Sequence, residues 1–222
     1  MYNKIKQKIT KKFLVLTITF VILIGSLTTL VYSLYNYYDT VSNVSNEIDK
    51  VEQILTQPES TVPISIPVGS QQPTTLTPQP LPKTEQPISA NYVGIINIPK
   101  FKEKQAVRYG VSDEDFKYTM GHYDITGVPE EGRQIFVVGH NNQILRNSEK
   151  MLNGDIVEFK TRKGLFKYQV YDRKIVDKDD IGVVTGSGNE GEVLVLMTCF
   201  PINYYYSDAP QRFLVYAKKI AD

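Results

Sequence analysis

The sequence predicts an all-β domain, a mixed β-barrel or sandwich with one or two short helices, preceded by a single N-terminal transmembrane helix. Two observations lead to this prediction. One long apolar segment lies close to the N-terminus, and residues 88–222 consist of short runs rich in Val, Ile, Phe and Tyr that are separated by turn residues. Short runs of this kind are typical of all-β domains.

The apolar segment has the length of a membrane-spanning helix. No charged residue occurs between Phe13 and Tyr38, and roughly 20 apolar residues are enough to cross the hydrocarbon core of a bilayer. We assign residues 13–35 to the span and residues 1–12, which contain five lysines, to a cytoplasmic basic tail. Because five lysines precede the span and acidic residues follow it, the positive-inside rule places the rest of the chain outside the cell. The alternative, a cleaved signal peptide, usually has an apolar stretch of only about 7–15 residues.

Residues 36–87 are predicted to form an extracellular stalk and linker. In residues 40–56, apolar side chains recur at spacings of three and four, which predicts a short amphipathic helix (Val41, Val44, Ile48, Val51 and Ile54). From Gln57 to about Gln86 the sequence is rich in Pro, Thr, Gln and Ser. Such a segment buries too little apolar surface to fold, so we expect an extended spacer.

The domain at residues 88–222 contains six candidate strands. They are Tyr92–Ile98, Gln134–Gly139, Asp155–Thr161, Leu165–Val176, Glu192–Thr198 and Arg212–Lys218. A tight turn at residues 162–164, or at their neighbours, is expected to form a hairpin. One short helix is also expected, with Ser112 as its N-cap, acidic residues in its first turn and Gly121 at its end.

Composition excludes several classes of function. With 25 basic and 24 acidic side chains the net charge is +1, so the chain has no overall electrostatic footprint for nucleic acid, and we expect no nucleic-acid partner. One cysteine and two histidines leave no intramolecular disulfide and too few ligands for a structural zinc site. We include no metal ligand among the candidate site residues and expect no required cofactor, with calcium dependence left open.

Cys199 stands at the end of the apolar run 193–198, where a loop begins. A nucleophile requires this placement, with a fixed backbone behind the thiol and open space in front of it. The alternative is a buried, inert cysteine, because free cysteines are among the most buried residues.

His140 and Arg212 also stand at strand ends. His140 follows the strand-like run 135–139, and a histidine beside a thiol can transfer protons and stabilise the thiolate. Arg212 opens the last candidate strand, and its rigid fork of donors suits a carbonyl or the oxyanion of a tetrahedral intermediate. Taken singly, each residue is more often an ordinary polar side chain.

Taken together, these residues resemble the signature of sortases. In that family the strand before the nucleophile reads Thr-Leu-x-Thr-Cys; here residues 195–199 read Val-Leu-Met-Thr-Cys, and Arg212 lies thirteen residues further on. The family's block around its catalytic histidine is similar to Gly-His-Tyr at 121–123, Gly-Val-Pro-Glu-Glu-Gly at 127–132 and Val-Val-Gly-His at 137–140. The resemblance covers nearly all of residues 90–220.

The resemblance implies a closed eight-stranded barrel and a cysteine transpeptidase. Cys199 would attack the Thr–Gly bond of a Leu-Pro-x-Thr-Gly-like sorting signal, His140 would transfer protons, and Arg212 would bind the signal and stabilise the oxyanion. Thr198 and position 195 would contribute to substrate binding, although Val195 lacks the hydroxyl of the family's usual Thr. His122 matches a histidine of some relatives that lies outside the catalytic trio; we select His140 because it follows the apolar strand.

The resemblance also implies partners and a location. The substrates would be surface proteins of a Gram-positive cell with an LPxTG-like C-terminal signal, and the acceptor an amino group of a peptidoglycan precursor. The enzyme would cross the cell membrane once, with its N-terminus in the cytoplasm and its catalytic domain, residues 88–222, outside. Calcium dependence stays open: Asp177–Asp180 could bind a cation or be solvated, and we favour solvation.

Within the family, we expect a class D or class A-like enzyme. The short, Gly-rich stretch 177–191 has no room for the long helix of the haem-uptake branch. The linker has no Asp-Pro-aromatic lid and no second span follows Asp222, which argues against the pilus-assembling branch.

Residues 81–85 of the linker read Leu-Pro-Lys-Thr-Glu, a near match to a sorting signal. Chance in a Pro- and Thr-rich segment is the favoured interpretation, and a tethered pseudo-substrate is the alternative.

Two other classes of function were weighed against the transpeptidase. An extracytoplasmic Cys/His peptidase of papain type would release peptides to water, but no papain-like sequence surrounds Cys199. A non-enzymatic, membrane-tethered binding domain would leave the alignment of the three residues to chance.

Overall fold

The computed structural model describes residues 2–56, 91–112, 117–180, 182–185, 191–202 and 209–220. By its contacts the chain divides into two units, Met1–Ser45 and Asn46–Asp222. The helices are α1 (Tyr2–Thr56), the short α2 (Gly182–Thr185) and two 3₁₀ segments, Pro99–Phe101 and Ile144–Lys150. The strands are β1 (Tyr92–Ile98), β2 (Glu103–Tyr109), β3 (Met120–His122), β4 (Ile135–Val138), β5 (Ile156–Thr161), β6 (Gly164–Asp177), β7 (Val193–Phe200) and β8 (Gln211–Lys219).

The first unit is helical. Among the described residues, one helical segment, Lys12–Thr56, is long and apolar enough to cross a membrane. Its apolar side chains are exposed in the predicted span, Phe20 by 64% and Val21 by 67%. Exposed apolar side chains are expected where the surroundings of a helix are hydrocarbon rather than water.

The second unit contains a closed barrel with the strand order β1-β2-β3-β4-β7-β8-β6-β5. The pairs β2–β3 and β4–β7 are parallel, and the other pairs are antiparallel. The expected all-β barrel is confirmed, and each of the six candidate strands corresponds to a strand of the barrel. The hairpin between β5 and β6 is also as expected, because Thr161 pairs with Gly164 across a two-residue turn.

Two strands and one helix differ from the sequence prediction. The sequence does not predict β2, which is rich in polar residues, or β3, which has only three residues. Gly121 does not end a helix as expected, because it lies within β3 and pairs with Val138 of β4. The expected acidic first turn, residues 113–115, lies outside the described residues, as do the linker and its Leu-Pro-Lys-Thr-Glu segment.

The barrel has apolar clusters on both sides of its wall. The inner cluster fills the barrel and includes Val137, Leu194, Leu196 and Val215. A second group, here called the outer cluster, covers the outside of β4, β7 and β8 and consists of Phe136, Val138, Val184, Val193, Val195 and Leu214. Alternate residues of β7 therefore enter opposite clusters, as strand geometry requires.

The end of α1 packs within the second unit. Val51 is fully buried against Ile95 of β1 and Ala106 of β2. The hydroxyl of Tyr92 donates a hydrogen bond to Glu47, and burial and this bond raise the pKa of Tyr92 to about 12. A segment that we expected to belong to the stalk thus contributes apolar contacts to the barrel wall.

Candidate active site

Cys199 lies near the end of β7 on the outer face of the barrel. Val193 and Val195 belong to the outer cluster, and Cys199 follows them at the same two-residue period. Its side chain is partly exposed. The structure therefore places the thiol at the surface, with the paired strand β7 as a fixed backbone behind it.

Arg212 is the direct partner of Cys199 in the antiparallel pair β7–β8. Directly opposed residues of an antiparallel pair have side chains on the same face, so the side chains of Arg212 and Cys199 both leave the sheet on its outer face. Nη1 of Arg212 donates to the carbonyl oxygens of Ala209 at 2.8 Å and Gln211 at 2.9 Å. Both bonds engage one nitrogen and fix the orientation of the guanidinium at the start of β8.

His140 lies two residues after the end of β4, the strand that pairs with β7. In the parallel pair β4–β7, Val138 pairs with Met197, and the amide of Gly139 donates to the Met197 carbonyl at 3.0 Å. Continuing this register by two residues places His140 level with Cys199. Neighbouring strands lie roughly 4.8 Å apart, so His140, two residues beyond β4, is expected to lie near Cys199 of β7, which pairs with Arg212 at the start of β8.

Thr198 faces inward and is 3% exposed. Its hydroxyl donates to the carbonyl oxygen of Gly139 at 2.7 Å. This carbonyl belongs to the peptide group that joins Gly139 to His140. Thr198 therefore ties the backbone before the histidine to the strand that carries the cysteine, a contact that the sequence does not reveal.

Val195 is fully buried in the outer cluster. Its side chain packs with Phe136, Val138 and Leu214 in that cluster. Any contribution of this position to substrate binding is therefore indirect. It would act through the shape of the outer cluster, which lies on the same face of β7 as Met197 and Cys199.

His122 lies apart from this arrangement, in the wall at β3. It is 1% exposed, and its Nε2–H donates to the carbonyl of Gly127 at 2.7 Å. Burial lowers the pKa of His122 below 6.5, although the Gly127 carbonyl partly opposes the effect. Burial thus disfavours the charged form of this ring, which bonds to the carbonyl of Gly127, and the choice of His140 as the catalytic histidine stays a prediction.

Metal ligands are not grouped in the described part of the chain, where no cluster of three or more His, Cys, Asp or Glu residues could hold an ion. The acidic stretch after β6 uses its carboxylates in its own turn. Asp177 accepts a hydrogen bond from the Asp179 amide at 3.0 Å, and Asp180 accepts one from the Gly182 amide at 3.2 Å.

Gln105 and Gln143 form a polar contact that the sequence does not predict. Gln105 lies in β2 and is 1% exposed, and its side-chain amide donates to the side chain of Gln143, three residues after His140. The only signal available in the sequence is a glutamine between apolar and charged residues, which does not distinguish a buried amide from a solvated one.

Known proteins resemble both the sequence and the barrel. A family model described as the Sortase domain matches residues 96–220. Sortase D of Bacillus subtilis (strain 168) is 33% identical over 135 residues, which cover 61% of this chain and 67% of the relative. Sortase C from Clostridium perfringens SM101 has a TM-score of 0.51 at 25% identity, covering 60% of this chain and 71% of that one. Sortase A from Corynebacterium diphtheriae has a TM-score of 0.53 at 21% identity, covering 63% and 64%, and shows the fold alone.

The fold is a closed eight-stranded barrel with a partly exposed cysteine near the end of its seventh strand, and the matches above define its class as that of the cysteine transpeptidases. Because the family match spans more than half of the chain, the chain belongs to the sortase family and is a cysteine transpeptidase of the kind that anchors surface proteins. Of the two expected branches, the identity to Sortase D favours class D. Sortases generally require no cofactor.

Proposed function

We propose that the protein cleaves a Leu-Pro-x-Thr-Gly-like sorting signal between Thr and Gly and transfers the new carboxyl end to an amino group of a cell-wall precursor. The alignment of three strand ends supports this proposal most strongly. Cys199 and Arg212 are direct cross-strand partners, and His140 follows the last pair of the parallel strands β4 and β7, Val138 with Met197, by two residues. Nucleophile, proton carrier and oxyanion donor thus share one face of the barrel.

In the first step, the thiol of Cys199 passes its proton to His140 as its sulfur attacks the carbonyl carbon of the threonine. The C–N bond to glycine breaks, the departing amine takes a proton from His140, and a thioester remains on the enzyme. In the second step, the acceptor amine attacks the thioester and loses a proton to His140. The C–S bond breaks, and the departing sulfur takes that proton back from His140 to restore the thiol, so protons and bonds balance over the cycle.

Arg212 stabilises the negative charge that develops on the carbonyl oxygen in both steps. Nη1 is held by two backbone carbonyls, while Nε and Nη2 carry three further N–H donors in the same plane. A donor group that is oriented before the reaction loses little free energy by reorganising in the transition state. We assign the substrate oxygen to these donors.

Thr198 acts as a positioning residue in this proposal. Because its buried hydroxyl binds the Gly139 carbonyl, it fixes the distance between the backbone of His140 and the strand of Cys199. Thr198 would then affect substrate binding indirectly, because its hydrogen bond to Gly139 positions His140.

The apolar part of α1 supports membrane anchoring. Residues 13–35 would cross the membrane once, the lysine-rich residues 1–12 would stay in the cytoplasm, and the barrel would lie outside. This location brings the active site to the substrates of the proposed reaction, exported surface proteins and peptidoglycan precursors.

Amine dependence tests the function. The full chain in detergent is mixed with fluorescent Leu-Pro-x-Thr-Gly peptides, with and without a glycine-based amine, and products are separated by mass. We expect a ligated product that forms only with the amine and is abolished in Cys199→Ala. Hydrolysis that the amine does not alter would instead indicate a peptidase, and no turnover of any peptide would indicate a binding domain.

A further inference from the structure

A buried glutamine interrupts the apolar interior of the barrel at β2. Gln105 lies two residues before Val107, a member of the inner cluster, and its cross-strand partner is Ile96 of the same cluster. Residues two apart on a strand, and residues directly opposed in a pair, face the same side. The side chain of Gln105 therefore points into the barrel, where an amide without a hydrogen-bond partner is costly.

The partner of this amide is the loop that follows His140. Nε2 of Gln105 donates to Oε1 of Gln143, and Nε2 of Gln143 donates to the carbonyl oxygen of Lys117 at 2.7 Å. The backbone amide of Gln143 donates to the carbonyl oxygen of His140 at 3.3 Å. One residue thus joins the barrel wall, the segment before β3 and the peptide group that follows His140.

The peptide group before His140 is held from the other side. Thr198 of β7 donates to the Gly139 carbonyl at 2.7 Å, and the Gly139 amide donates to the Met197 carbonyl at 3.0 Å. Leu145 and Met120 approach Gly139 so closely that an added Cβ would meet their side chains at 3.1 and 3.2 Å. Both flanks of His140 are therefore anchored, one to β7 and the other, through Gln143, to β2.

We propose that Gln143, supported by Gln105, is a positioning residue that sets the place of the His140 ring relative to Cys199. The proposal rests on the proposed function, because it treats His140 as the proton carrier. The side chain and backbone amide of Gln143 bond to Gln105, the Lys117 carbonyl and the His140 carbonyl, so we assign it no direct part in the reaction. It acts by restricting the loop 140–143, so its loss leaves the chemistry of each side chain intact and disturbs the geometry between them.

Histidine NMR tests the positioning without any substrate. The chain contains two histidines, so the full protein in detergent, labelled with ¹³C in its histidine rings, has one signal from His140 and one from His122. In Gln143→Ala we expect the His140 signal to shift and broaden, while the His122 signal, from a ring packed in the barrel wall, stays in place and reports intact folding. Gln169→Ala, a matched change at an exposed glutamine of β6, should leave both signals unchanged. An unaltered His140 signal in Gln143→Ala would overturn the proposal.

Steady-state kinetics with the signal peptide give a second readout. Displacing a catalytic group by a fraction of an ångström should lower kcat about tenfold in Gln143→Ala, while KM, which reflects peptide binding, stays unchanged. Gln105→Met should lower kcat in the same direction, and the double variant should be no worse than Gln143→Ala alone, because both changes break one chain of contacts. Additive losses, or a change confined to KM, would contradict the proposal.

The NMR and kinetic experiments together distinguish a failure of this positioning proposal from a failure of the proposed function. If the peptides were not turned over by the wild-type enzyme but the His140 signal still moved in Gln143→Ala, the reaction assigned above would be wrong and the positioning would stand. If turnover occurred and neither kcat nor the His140 signal responded to Gln143→Ala, the function would stand and the positioning would be wrong.

Discussion

Cys199 and Arg212 are opposed to each other across the antiparallel strands β7 and β8. The Cβ atoms of such a pair lie about 4.5–5.5 Å apart, so strand pairing sets the separation of the two side chains. Phe200 and Gln211 continue the pairing beyond them. The arginine that we assign to the oxyanion is therefore held by the sheet rather than by a loop.

Replacing the guanidinium by another cation tests the role of Arg212. Arg212→Lys keeps the positive charge but loses the planar fork and the bonds of Nη1 to Ala209 and Gln211. We expect kcat/KM for the signal peptide to fall about 100-fold, whereas alkylation of Cys199 by iodoacetamide proceeds as in the wild type. Arg162→Lys, in the exposed β5–β6 turn, is the control. Full activity of Arg212→Lys would show that charge alone suffices.

Removing one hydroxyl tests the contact between Thr198 and Gly139. Thr198→Val preserves the shape of the side chain but leaves the Gly139 carbonyl without its donor from β7. We expect the free energy of unfolding of the barrel to fall by about 1–2 kcal/mol and kcat to fall with it. Denaturant titration and peptide kinetics measure the two effects. Thr198→Ser, which retains the hydroxyl, should recover most of both, and failure to do so would assign the effect to packing.

His122 should make the stability of the barrel depend on pH. Because burial lowers its pKa in the folded state below 6.5, the unfolded chain binds the proton more readily as the pH falls through 6.5. The free energy of unfolding contributed by the neutral ring is thus present above pH 6.5 and is lost as the pH falls toward the folded-state pKa. Unfolding at pH 7.5 and 5.5 should show a larger loss in the wild type than in His122→Gln. Equal losses would mean that the folded barrel accepts the charged ring.

The end of α1 should contribute to the stability of the second unit. Val51 is fully buried against Ile95 and Ala106, so Val51→Asp places a charge in an apolar contact. We expect the free energy of unfolding of the barrel to fall by at least about 2 kcal/mol. Gln53→Asp makes the same substitution at an exposed position two residues away and should have little effect. Equal stability of the two variants would show that the contact is not important for the barrel.

Strands with a strong apolar pattern could be predicted from the sequence, and those without one could not. β7 reads Val-Leu-Val-Leu-Met-Thr-Cys-Phe, and its apolar run predicts the strand, although the strand continues two residues past the predicted end at Thr198. β2 reads Glu-Lys-Gln-Ala-Val-Arg-Tyr, and the buried Gln105 within it donates from Nε2 to Gln143, which is distant in sequence. A partner of that kind is a tertiary feature that local periodicity does not contain.

In the candidate site, too, the sequence predicts some features and only the fold reveals the others. The residue types at Cys199, His140 and Arg212, together with their strand-end positions, were sufficient to nominate them. Their alignment depends on the parallel register of β4 with β7 and the antiparallel register of β7 with β8. Register is fixed by the closure of the whole barrel, so the contacts that hold His140, from Thr198 and Gln143, emerge only from the fold.

Intact-mass measurement of the acyl enzyme tests the central claim most directly. The full chain is mixed with excess Leu-Pro-x-Thr-Gly peptide in the absence of an acceptor amine and quenched in acid. We expect a mass increase equal to the peptide up to its threonine, mapped to Cys199, removed by added glycine amine and strongly reduced in His140→Ala and Arg212→Ala. A cleaved peptide that accumulates equally in Cys199→Ala, or an adduct that is independent of His140 and Arg212, would contradict the account.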